Sequence, residues 1–260
     1  HGDTLEILGS KMALRADLWG RTLITFRPRS DQSATSVGMS NLHLSVQLLK
    51  VVGSTMSSVI KVFLGKVSAH YAFISTFVDS ILAVVLGTRP EIIKMSPVIS
   101  ILDREKSEYF VLHTGQHYSY NMDRTFFEQL KLPQPKYNLN VGSGTHEEET
   151  AKILTGTERI IIKESPDVVL VEGDTNSVLA GALASSKLLT RVGHVEAGLR
   201  SYDRTMPEEI NRVLTDHLSD YLFAPTELAK TNLLKEGIGQ EKIFVTGNTI
   251  VDAVHRNLEH

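Results

Sequence analysis

PDVVLVEGDTNSVLAGALASSKLLTRVGHVEAG, residues 166–198, decides the fold. VVLVEGD (168–174) is of strand length, rich in β-branched residues and apolar almost without interruption. A segment of helical character follows over 175–188, and VGHVEAG (192–198) repeats the form of the first run. An unbroken apolar run suits a strand buried on both faces, because successive side chains enter two different apolar layers. Two such strands joined by a helix make a parallel unit, since parallel strands need a long crossover.

The same form recurs outward in both directions. ILAVVLG (81–87), YFVLHTG (109–115), YLFAPT (221–226) and IFVTGN (243–248) read as further strands. Helices are predicted at about 90–103, 119–130, 147–163, 175–188, 207–218, 227–236 and 249–258. The punctuation agrees. Pro90 and Pro207 stand where a first-turn proline is tolerated, Thr226 is placed to N-cap, and Gly237 to follow a helix C-terminus. Alternation of this kind predicts an α/β domain over 81–260, a doubly wound parallel sheet.

Residues 1–80 differ. They hold 8 Lys/Arg and 5 Asp/Glu, whereas the remainder of the chain is net acidic. They are Ser-rich, carry the single Trp19, and show no sustained periodicity. A short element over 42–51 and a helix over 59–78 are the best candidates, with loops between them. The expectation for 1–80 is an unassigned, poorly structured or unrelated extension.

Composition narrows the function. A net charge of -3 gives no footprint for nucleic acid or an anionic membrane. Without cysteine there is no disulfide, thiolate nucleophile or Cys-ligated metal, which leans toward a reducing compartment. No apolar stretch reaches the ~20 residues that span a bilayer. A soluble cytoplasmic protein is expected. Ten histidines are present, but none has the HExxH spacing of a metal site, so no metal is expected.

In a doubly wound sheet, ligands sit beyond the carboxyl ends of the strands. Gly87-Thr88-Arg89 closes the first strand and opens a helix, where a backbone turn favours an anion. Arg89 can fork onto phosphate oxygens, with Lys94 a turn further on; a plain βα turn with solvated charges is the alternative. Asp174 and Glu196 close consecutive strands, so one rim can hold both, and unlike environments can separate them into acid and base. Taken alone, Asp174 reads better as an N-cap of the next helix. A carboxylate at the end of a buried strand needs a partner, for which Arg200 or Arg212 is expected to serve Glu196. Glu208 and Glu209 open a helix, where the macrodipole alone accounts for them unless the 199–205 loop carries Glu208 to the rim. His194 and Glu196, two apart on one strand, are expected to point to the same side, with His194 a satisfied core residue.

Together, VVLGTRPEIIKMSPVI, TGQHYSYNM, PDVVLVEGDTNSVLAGALAS, GHVEAGLRSYDRTMPEEINRVLTDHLSDYLFAPTE and FVTGNTIVDA make residues 84–260 resemble the N-terminal domain of the non-hydrolysing UDP-N-acetylglucosamine 2-epimerases. Tyr118 to Met122 and Ser201 to Met206 are similar to archaeal-type members. The resemblance implies one Rossmann-like half of a glycosyltransferase-B-type fold. It implies interconversion of UDP-GlcNAc and UDP-ManNAc without NAD or another cofactor, by removal of the C2 proton, loss of UDP, and re-addition after proton return on the opposite face. By motif, Asp174, Glu196 and Glu208 become the acid/base groups, and Arg89 and Lys94 the holders of the diphosphate. Gln116 and His117 match a region that helps bind a second, activating UDP-GlcNAc. A homodimer formed through this domain is implied as well. Residues 1–80 match nothing in the family, and its second domain is missing, so the expectation is a gene fragment whose first 80 residues are a mis-called start or upstream sequence, with a real appended domain as the alternative. A glycosyltransferase of the same architecture and a non-catalytic UDP-sugar-binding module are the competing readings.

Overall fold

The computed structural model describes residues 4–9, 12–17, 25–28, 80–116 and 120–258. The chain divides into two compact units, residues 1–56 and 57–260. In the first, Thr4–Gly9 (β1), Met12–Asp17 (β2) and Thr25–Pro28 (β3) form an antiparallel sheet, with Gly9 opposite Met12 and Met12 opposite Pro28. Regular structure was not expected here. These runs, TLEILG, MALRAD and TFRP, mix charged and apolar residues without an unbroken apolar stretch, and pairing with one another orders them. The elements anticipated at 42–51 and 59–78 lie outside the described residues.

The second unit carries the predicted parallel sheet. Its strands are Leu82–Leu86 (β4), Tyr109–His113 (β5), Tyr137–Asn138 (β6), Val168–Glu172 (β7), Arg191–Val195 (β8), Tyr221–Ala224 (β9) and Ile243–Val245 (β10). They lie side by side in the order β10-β9-β8-β7-β4-β5-β6, and every neighbouring pair is parallel. The helices are Arg89–Arg104 (α1), Tyr120–Gln129 (α2), His146–Glu164 (α3), Asn176–Lys187 (α4), Pro207–Leu218 (α5), Glu227–Lys235 (α6) and Thr249–Leu258 (α7). Of the strands in this parallel sheet, only β6, a two-residue edge strand, was not anticipated from the sequence.

Both faces of the sheet are covered. Leu82, Val84 and Leu86 enter a layer with Ile92, Met95 and Ile99 of α1. The alternate residues Ala83 and Val85 enter the other, with Ile160 and Ile161 of α3 and Val178 and Ala182 of α4. This two-sided burial is why the strands read as unbroken apolar runs, and each buried Leu, Ile or Val contributes about 1.5–3 kcal/mol. Pro97 sits inside α1, where it withholds the N–H that would have met Ile93; the Ser96 hydroxyl donates to that carbonyl instead, at 2.8 Å. Thr226 caps α6 as expected, accepting from the Ala229 N–H at 3.1 Å. Among the described residues no helix is long and apolar enough to cross a membrane.

Strand order reverses between β4 and β7, which are neighbours in the sheet but far apart in sequence. A crevice opens at such a point because the flanking connections leave on opposite faces. The residues following β4 and β7 therefore meet at this rim.

Candidate active site

The first predicted strand run ends at Leu86, and Gly87 and Thr88 turn into α1. The turn lies so close to α4 that a Cβ on Gly87 would overlap the Ser177 hydroxyl. The backbone donors expected to meet an anion are already engaged. Glu91, buried in the first turn of α1, accepts from the Gly87 N–H and, at 3.2 Å, from the Thr88 N–H. It also accepts from the Thr175 hydroxyl at 2.6 Å, tying the β4 and β7 turns together. Burial pushes its carboxyl up to about 7, against the pull of these donors. Arg89 is exposed at the head of the helix, on the same rim.

Lys94, one turn along α1, reaches carboxylates. Its ammonium stands 2.5 Å from Glu196 Oε2 and 3.1 Å from Glu172 Oε1. The expected partners of Glu196, Arg200 and Arg212, are committed elsewhere. Arg200 pairs with Asp216 at 2.7 Å and Glu236 at 2.6 Å, and Arg212 with Asp174 and Glu209. Glu172, which the sequence reading passed over, closes β7 with 1% of its surface exposed. Its signal was a lone charge inside an apolar run. Burial pushes the Glu172 carboxyl well above the usual range although Lys94 opposes this. Glu196 is also pushed up by burial, but hydrogen bonds from Glu172 and Lys94 outweigh that and hold it low.

The conformation of Glu196 explains its reach. β8 ends at Val195, and Glu196 has φ 71°, left-handed and rare for a side chain with a Cβ. The expected alternation with His194 breaks there. His194 stays in the core, its Nε2 2.8 Å from the Gly173 carbonyl and its Nδ1 2.6 Å from Asp216. Glu196 instead turns to the α1 side, beside Lys94 and Glu172. A strained φ kept at a charged residue over a rim is characteristic of functional positions.

Asp174 is not an N-cap. Thr175 caps α4, accepting from the Val178 N–H at 3.4 Å, and Asp174 pairs with Arg212. Asn211 donates to the Asp174 carbonyl at 2.9 Å, so α5 holds both ends of this residue. Of the two glutamates opening α5, Glu209 is buried. It accepts from the Ser201 and Tyr202 N–H groups at 2.9 Å each, and these hold its carboxyl low against the effect of burial. That leaves Glu208 half-exposed at the head of the helix, on the element that holds Asp174. A groove of about 540 Å³ along α5, lined by Arg200, Tyr202, Ile210 and Leu214, touches neither Asp174 nor Glu196.

Gln116 is buried in a polar cluster. Its amide donates to Glu149 at 3.0 Å and its carbonyl accepts from Ser177 at 2.8 Å. Asn176 donates to the same Glu149 at 3.0 Å, and Asn211 links Asn176 to Asp174. The cluster supports the rim from beneath. His117 lies outside the described residues.

A seven-stranded sheet in Rossmann order, with a lysine-held glutamate and an arginine-held aspartate at its switch point, defines an α/β protein of the doubly wound, Rossmann-like class. Sequence comparison narrows the class. The family described as UDP-N-acetylglucosamine 2-epimerase matches residues 100–260, and the chain belongs to that family. It is 66% identical over 178 residues to the UDP-N-acetylglucosamine 2-epimerase of Methanocaldococcus jannaschii, covering 68% of this chain and 49% of that protein. It is 62% identical over 178 residues to the enzyme of the same name from Methanococcus maripaludis, covering 68% and 48%. The crystal structure of the M. jannaschii enzyme in complex with UDP-GlcNAc and UDP superposes with a TM-score of 0.68 at 65% identity, covering 69% of this chain and 49% of that one. The chain spans about half the length of the curated relatives it matches.

Proposed function

We propose that the protein carrying this chain interconverts UDP-GlcNAc and UDP-ManNAc. A carboxylate takes the C2 proton, the C1–O bond breaks with its electron pair leaving on UDP, and a C1–C2 double bond forms. Proton return to the opposite face of C2 and attack of the UDP oxygen on C1 complete the exchange. Acid/base groups are needed on both faces of the sugar, which is the use for Asp174, Glu196 and Glu208. The observation that carries the reading is Glu196 in a left-handed conformation, ionised beside Lys94 at the switch-point rim. The UDP-sugar is supported by the relative crystallised with UDP-GlcNAc and UDP.

Arg89 is assigned to the leaving diphosphate, where cationic stabilisation acts as charge develops. Lys94 serves there only while also holding Glu196, so its first role is to keep that carboxylate ionised. Gln116 is assigned to shaping the rim through its buried cluster, with any contact to a second UDP-GlcNAc left to His117. A second Rossmann-like domain supplies the other wall of the cleft in this proposal, and the enzyme is a cytoplasmic homodimer whose product feeds polysaccharide biosynthesis.

The test is turnover of UDP-GlcNAc by the complete protein in D2O. UDP-ManNAc carrying deuterium at C2 is expected. Product without deuterium, sugar transfer to an acceptor, or binding without turnover each defeats the proposal.

A further inference from the structure

The proposed reaction gives Glu172 nothing to do, yet this carboxyl is fully buried at the end of β7. It faces Lys94 of α1, with its Oε1 3.1 Å from the ammonium. The Glu196 carboxyl, from the residue just beyond β8, meets the same ammonium at 2.5 Å. Glu91, also buried, is the other charged group near it. One ammonium cannot balance two buried carboxylates, so one of the pair is neutral. Glu196 has the shorter contact with Lys94 and an additional donor in Asn248 at 3.5 Å, and it is the less buried of the two. The proton therefore belongs to Glu172.

We infer that Glu172 is a positioning residue, a neutral carboxylic acid that faces Lys94 and donates to Glu196, fixing Glu196 as the ionised base. This rests on the proposed acid/base role of Glu196. The arrangement has a natural isostere. In Glu172→Gln, the amide oxygen takes the place of the oxygen facing Lys94, and the amide N–H takes the place of the donating O–H. In Glu172→Leu the volume is kept and the donor is lost.

The experiment uses the complete protein and has two readouts. The first is the infrared carboxylic-acid band at neutral pH, compared between wild type and Glu172→Gln. Loss of one protonated-carboxyl component in the variant is expected. Glu91 contributes equally to both samples and cancels. An identical band in the two proteins overturns the inference. The second is the pH profile of kcat/KM. Loss of the donor in Glu172→Leu should raise the acid limb by about one pH unit and lower kcat roughly tenfold with KM little changed. Glu172→Gln should leave the acid limb in place, because its amide still donates. A downward shift of that limb in Glu172→Gln means an ionised Glu172 was removed, and it overturns the inference. An unmoved limb in Glu172→Leu does so too. If Glu172→Leu fails to fold, the infrared comparison and the Glu172→Gln profile still decide. Failure of the underlying reading is separate: Glu196→Gln retaining C2 deuterium exchange removes the base, whatever the infrared band shows.

Discussion

Lys94 Nζ lies 2.5 Å from Glu196 Oε2, a contact between the second turn of α1 and the residue just beyond β8, 102 positions apart in the chain. The lysine draws its own positive charge from the same contact, because Glu172 and Glu196 outweigh the burial that would otherwise lower its pKa. Lys94→Met removes that charge and leaves burial of Glu196 opposed only by Glu172 and Asn248. The Glu196 carboxyl should rise, and kcat for the complete protein should fall roughly 10²–10³-fold. The acid limb of kcat/KM should move upward. A variant with wild-type kcat at neutral pH contradicts the role given to this pair.

Arg212 spans Asp174 and Glu209 with separate guanidinium nitrogens. A lysine presents one compact ammonium and cannot reproduce the fork. Arg212→Lys should therefore lower kcat/KM by roughly tenfold or more. Stability should change little, since the Asp174 side chain keeps 34% of its exposure and such a pair contributes below about 1 kcal/mol. A large drop in Tm with unchanged kinetics would assign Arg212 a structural role instead.

Gly198 has φ 82°, and a Cβ there would overlap the Ala229 carbonyl. Its N–H donates to Asp216 at 3.1 Å, so the backbone cannot retreat without loosening the pair formed by Asp216 and Arg200. Gly198→Ala should cost roughly 2–4 kcal/mol, combining left-handed strain with overpacking. Thermal unfolding should show this as a Tm lower by roughly 5–10 °C. An unchanged Tm would mean that the 196–200 turn adopts another path.

Glu91 gives a pH dependence of known sign. Its carboxyl is raised from 4.5 to about 7 in the fold by burial. Between those values the unfolded chain has lost the proton that the folded chain retains. Stability from this group is therefore full below pH 4.5 and is lost as pH rises toward 7, by about 3 kcal/mol in all. Glu91→Gln should flatten that part of a Tm-against-pH curve. An equally steep fall in the variant would place the titrating group elsewhere, with Glu172, also raised by burial, the first alternative.

The parallel sheet was legible because its physics is local. A strand buried on both faces must be apolar at every position, and Leu82 to Leu86 and Val168 to Val171 obey that rule residue by residue. The rim was legible for the complementary reason, since Asp174 and Glu196 are charges placed where such runs stop. The antiparallel strands at 4–28 were not legible, because charged residues interrupt each run and pairing rather than an apolar pattern orders them. Glu172 was hidden inside an otherwise apolar run.

Partners and directions belonged to the tertiary structure. By sequence alone Glu196 shared a face with His194 and looked to Arg200 or Arg212. A single left-handed φ turned it to the opposite face, and the crossing of α1 over β7 and β8 brought Lys94 there from 102 residues away. Sequence by itself determined which residues must be buried and where charged groups emerge, because hydrophobic patterning acts over one or two turns of chain. Which charge meets which, and which carboxyl keeps its proton, depends on groups from three separate elements converging in a space of low dielectric, and only the folded chain brings them together.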